Sequence, residues 1–111
     1  VPMEISITQQ DAVEAGAQTG RQLFVNHHLK GRNVYIECFV PNFTFSDERG
    51  KKVNGEGYMN LYVDEKKTDE IHTAAFIIKG LEKGTHTISL ELLHNDSSKY
   101  HLKKTWNVTV K

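Results

Sequence analysis

The chain has 111 residues, a length for one domain around one hydrophobic core, because two cores would leave each piece near the size at which folding alone is marginal. Fourteen Lys and Arg offset fourteen Asp and Glu, so the cationic surplus by which nucleic-acid binders neutralise phosphates is missing. With 38% hydrophobic and 25% charged residues the composition is that of a folded domain rather than a disordered segment, and no apolar run is long enough to cross a bilayer.

Alternation with a period of two, the mark of a strand with one buried face, recurs wherever the chain is not rich in Gly, Asn or charge. Met3, Ile5 and Ile7 oppose Glu4, Ser6 and Thr8, which predicts a first strand at residues 3–8. Residues 11–17 have room for one helical turn before Gly16 and Gly20 close it off. Residues 23–25 read as a short strand leading to His27 and His28, two neighbours that cannot face the same way in a strand, and to the turn at residues 30–33. Residues 34–40 alternate Val34, Ile36, Cys38 and Val40 with Tyr35, Glu37 and Phe39, the β-branched and aromatic pattern of a central strand. Pro41 cannot donate to a ladder, so Phe43, Thr44 and Phe45 are expected past a bulge or at an edge.

A polar stretch at residues 46–56 follows, and then Met59, Leu61 and Val63 alternate with Tyr58, Asn60 and Tyr62. The charged residues 64–67 read as a turn, residues 76–78 as a strand, and Lys83-Gly84 as another turn. The last two strands place His86, Ile88, Leu90 and Leu92 on one face and Trp106, Val108 and Val110 on one face, with a polar hairpin loop at residues 94–100 between them. Seven or eight short strands, no long helix and no internal repeat predict an all-β, two-sheet sandwich of the immunoglobulin-like kind, spanning residues 1–111 as a single domain.

The run Gly57-Tyr58-Met59-Asn60-Leu61-Tyr62-Val63-Asp64 and the later run from Gly80 to Leu90 resemble small immunoglobulin-like sandwich domains of bacterial envelope proteins, over roughly residues 33–110. Some members of that group carry Gly-His-x-His-Leu-Tyr-Val at the first run and Asn-Asp-His in the last hairpin. Those histidines look like a copper-type metal site, since imidazoles on alternate strand residues point the same way. Here Tyr58 and Asn60 stand where the pattern has two histidines, and Ser97 stands where it has the third, so the metal set is not kept.

The residues themselves argue against catalysis. No Gly-rich phosphate loop, His-Glu-x-x-His pair or Cys-x-x-Cys spacing occurs. The single cysteine, Cys38, lies on a presumed buried strand face, where a thiol acts as a small hydrophobe and no intrachain disulfide can form. Asp47-Glu48 and Asp64-Glu65 read as solvated turn charge, and His86 as an imidazole at the core edge that satisfies a neighbouring backbone group. Three Asn-x-Ser/Thr triplets, at Asn42, Asn95 and Asn107, arise readily by composition alone.

The function expected is that of a non-catalytic, extracytoplasmic binding or interaction module of the bacterial cell envelope, with no cofactor and no nucleic-acid partner. Val1 opens the chain without a leader, as a trimmed product would. Tyr58, Asn60, His72 and His94 are the expected ligand-binding residues, because sandwich connectivity brings the loops at 46–56 and 94–100 to one end above the strand that Tyr58 starts. The partner would be a protein or a small polar ligand held at that loop end. The alternative is a copper-type metal site built from His72, His94 and His101.

Overall fold

The computed structural model describes residues 21–47 and 49–111. The strand expected at residues 3–8, the helical turn at 11–17 and the side chain of Glu48 lie outside them. Among the described residues the chain is all β, with strands β1 (Phe24–Lys30), β2 (Asn33–Phe39), β3 (Thr44–Phe45), β4 (Glu56–Val63), β5 (Lys66–Ile71), β6 (Ala75–Ile78), β7 (Gly84–Leu93) and β8 (Lys99–Val110).

They form two sheets. One has the order β1-β2-β6; the other runs β3-β4-β7-β8, with β5 also paired to β4. All pairings are antiparallel except that of β3 with β4, where Thr44 and Phe45 lie beside Glu56 and Gly57. Pro41 thus ends one strand, and the chain resumes as a two-residue edge strand on the other sheet, in keeping with a residue that cannot donate to a ladder.

The alternation read from the sequence sets which side chains enter the core. Val34, Ile36 and Cys38 from β2, Met59 and Leu61 from β4, Ile88, Leu90 and Leu92 from β7, and Leu102, Val108 and Val110 from β8 join one buried cluster. Trp106 packs against it from β8, and its indole stacks on the His27 ring of β1 at 5.3 Å. His27 therefore turns toward the other sheet while His28 is exposed, the opposite orientations that adjacent strand residues must take. The strand starting at Phe24 runs on through both histidines to Lys30, longer than the segment predicted at residues 23–25.

Two tight hairpins set the registers. Gly31 turns the β1–β2 hairpin with a φ of 64°, closing the Lys30–Asn33 pair. Asp64 and Glu65 both adopt positive φ, at 53° and 71°, and close the Val63–Lys66 pair of a two-residue β4–β5 hairpin. The charged run at residues 64–67 predicts a turn that includes Lys66 and Lys67. They instead begin β5, an edge strand in which Lys66, Lys67, Thr68 and Asp69 are exposed, as charge on an unpaired edge resists pairing with other chains.

Candidate functional site

Tyr58, Asn60 and Tyr62 face away from the core cluster, since Met59 and Leu61 between them point into it. An outward tyrosine on a sheet is ordinarily wet, yet Tyr58 is only 2% exposed. It is covered because the segment between β3 and β4 folds back across the start of β4. The amide of Gly50 donates to the carbonyl of Asn95 at 3.2 Å, which ties this segment to the β7–β8 loop. The side-chain amide of Asn95 donates to Glu56 Oε1 at 3.2 Å and ties the same loop to the start of β4.

Around Tyr58 the contacts are specific. Its hydroxyl hydrogen-bonds Ser97 Oγ at 2.8 Å, its ring stacks on His72 with centroids 5.2 Å apart, and the guanidinium of Arg49 lies 4.3 Å from its centroid. His72 Nδ1 donates to the Ser46 carbonyl at 2.8 Å, and its Nε2 lies 3.9 Å from Glu70 Oε1. Glu70, on β5, accepts from Lys67 Nζ at 3.0 Å and from the Arg49 guanidinium. These cationic donors, Lys67 first, hold the Glu70 carboxyl below its ordinary value. Three segments therefore meet the tyrosine of β4 directly, the β3–β4 loop, the residue after β5 and the β7–β8 loop, and β5 joins them through Glu70.

Asn60 lies in the next outward position, flanked in register by Glu70 on β5 and Glu91 on β7, and its Oδ1 is buried with no hydrogen-bond partner among the described residues. Glu91 is itself engaged, accepting from the Tyr62 hydroxyl at 3.1 Å and pairing with Lys99 at 3.6 Å.

His94 belongs to the same end but to the other side of the sheet. Leu93 pairs with Tyr58, and the next ring, that of His94, stacks at 3.6 Å on Tyr100, a member of the core cluster. Burial pushes the His94 imidazole below its ordinary value, and its Nδ1 lies beside the carbonyl and hydroxyl of Ser98. Tyr100 in turn accepts from the Gly55 amide at 3.0 Å and donates to the Glu56 carbonyl at 2.8 Å, fixing β8 to the entry of β4.

The expected site residues are thus divided. Tyr58 and His72 touch, Asn60 shares their face, and His94 braces the end from the core side. His101 lies exposed in β8 with a φ of 64°. Among the described residues no group of three or more His, Cys, Asp or Glu side chains is placed to hold a metal ion, and His72, His94 and His101 do not form one. Cys38 is buried and its thiol is pushed up to about 12 by desolvation, which keeps it in the thiol form at neutral pH.

Sequence reasoning missed Arg49, Glu70 and Ser97. Arg49 lies in a loop without periodicity, and its partners are remote in sequence. Glu70 was hidden because the charged β5 resembles a turn, and because regular alternation would put Lys67 and Glu70 on opposite faces; the register shift that leaves Thr68 unpaired between Lys67 and Asp69 brings them together.

Compared with known proteins, the chain matches no family model, and neither a curated protein nor a solved structure is significantly similar to it.

Proposed function

We propose that the chain is a non-catalytic, extracytoplasmic binding module of the bacterial cell envelope, an immunoglobulin-like sandwich that takes its partner at the loop end above Tyr58. The observation that carries the reading is the joining of the two loops over one buried tyrosine, through the Gly50–Asn95 and Tyr58–Ser97 hydrogen bonds. A rigid scaffold that presents two tied loops is how sandwich domains commonly carry recognition. The exposed side chains of that surface, Asp47, Arg49, Lys51, Lys52 and Asp96, carry both charge signs and suit a protein partner with a polar, mixed-charge face.

The immunoglobulin-like assignment is supported by the placement of β1-β2-β6 in one sheet and β4-β7-β8, with β5 alongside, in the other. The envelope setting is supported by the resemblance of the runs 57–64 and 80–90. The engagement of His72 and His94 in stacks that brace loops agrees with recognition rather than chemistry.

Partner capture on the immobilised chain tests the reading. Lys51→Glu with Lys52→Glu reverses exposed charge at the loop end, whereas Lys79→Glu with Lys83→Glu does so at the far end, near the β6–β7 turn. The first pair should abolish capture and the second should preserve it; the reverse pattern would place recognition at the far end.

A further inference from the structure

Arg49 occupies its place in an unusual way. Its guanidinium lies over an aromatic ring and pairs with a carboxylate, which is how a planar cation is bound when it comes from another molecule. Every wall of that place is built by segments other than the one that carries Arg49. Tyr58 comes from β4 and is fixed at its hydroxyl by the Ser97 hydrogen bond and on a ring face by the His72 stack. Glu70 comes from β5 and is held from the other side by Lys67. His72 is fixed by its own bond to the Ser46 carbonyl.

Arg49, in contrast, is a loop residue with a side chain 44% exposed. Beside the place it occupies, an open groove lined by Lys67, Thr68, Asp69, Glu70 and His72 leads to the solvent. Asp69 and Glu70 add carboxylate character along that approach, and the groove is where a partner's side chain would enter.

We infer that the recess formed by Tyr58, Glu70 and His72 is a guanidinium-recognition site, filled by Arg49 as an internal occupant and taken over by an arginine of the protein partner. The inference rests on the loop-end reading and deepens it by naming what the partner presents. A guanidinium fits because it can lie flat on the ring while its N–H groups meet the Glu70 carboxylate at the edge; an ammonium, a compact point charge, has no planar face to lay on the ring and no fork to offer the carboxylate. Exchange of one arginine for another keeps the charge of the site unchanged, so that the cost of binding is that of releasing the loop around Arg49. The released loop is then free to settle on the partner.

The test is cavity complementation. Arg49→Ala in the full chain, labelled with ¹⁵N, is titrated with ethylguanidinium at constant ionic strength, with ethylammonium as the control cation. Saturable amide shifts at Tyr58, Glu70 and His72 are expected, with an affinity at least about tenfold above that for ethylammonium and above that of the wild-type chain, where Arg49 competes. Adding Glu70→Gln should remove the binding. Non-saturating shifts in a folded Arg49→Ala chain, or binding indifferent to Glu70→Gln, would overturn the inference. Should Arg49→Ala lose spectral dispersion, its thermal melts in ethylguanidinium replace the titration: a refilled recess should raise its melting temperature more than ethylammonium does at equal ionic strength, and an equal effect of the two cations would overturn the inference. The two readings fail separately: guanidinium binding with capture unaffected by the Lys51 and Lys52 reversals sinks the loop-end function, and lost capture without guanidinium binding sinks only the recess.

Discussion

His86 shows how one residue can be read from the sequence in kind but not in strength. Its place in line with Ile88 and Leu90 announced an imidazole at the core edge, and the structure gives it two acceptors: Asp64 Oδ2 at 2.8 Å on Nδ1 and the Glu82 carbonyl at 2.7 Å on Nε2. Only the imidazolium has a proton for both. The bond to Asp64, followed by that to Glu82, raises the His86 value above the ordinary 6.5, while the same pairing and the Thr87 amide hold Asp64 below its ordinary 3.8. A raised histidine stabilises the fold fully below its unfolded value and ceases to do so as pH rises through its folded value; a depressed carboxylate contributes above its unfolded value and loses this as pH falls. The pair therefore stabilises most between 3.8 and 6.5. His86→Gln should lower the melting temperature most in that window and least in alkali, measured by thermal melts of both chains across pH. A difference that did not vary with pH would mean that the pair is not ionised in the fold. The exposure of Asp64, at 51%, keeps the effect modest in salt.

Among the elements, β2, β4, β7 and β8 were legible because one face of each is apolar and the other polar, so the period of two survives in the sequence. The strand β5 was not, because an edge strand with charge on its exposed side carries no such contrast. The same limit applies to Tyr58: alternation sets its outward direction correctly, but its burial depends on a loop whose return path no local pattern encodes. The close approach of β4 and β7 beneath that loop rests on Gly57. A Cβ there would stand 1.8 Å from the carbonyl oxygen of Leu93, a backbone atom that cannot step aside. Gly57→Ala should therefore part the two strands at the end where Tyr58 and Leu93 pair, at a cost of about 1–3 kcal/mol. Denaturant unfolding would measure the loss, and the Tyr58–Ser97 contact should weaken with it. An unchanged midpoint would show that the strands separate more easily at this end than their packing implies.

Over the whole molecule two surfaces are candidates for the proposed binding. One is the loop end, with its tied loops and mixed charge. The other is the outer face of the β1-β2-β6 sheet, where Phe39 is 62% exposed, Ile77 42% and Tyr35 40%, and where Phe24 stacks on Phe39 at 6.2 Å. Scattered exposed apolar residues are common on folded domains, whereas the β3–β4 connection and the β7–β8 hairpin loop are tied over one buried ring that the core cluster does not include. The core cluster closes without Tyr58 or Leu93, which are buried outside it, so the packing at the loop end serves the placement of the loops themselves. The most direct test is a map of amide shifts in the ¹⁵N-labelled chain on addition of the captured partner. The account predicts shifts centred on residues 49–53, His72 and residues 95–98; shifts centred instead on Tyr35, Phe39 and Ile77 would contradict it.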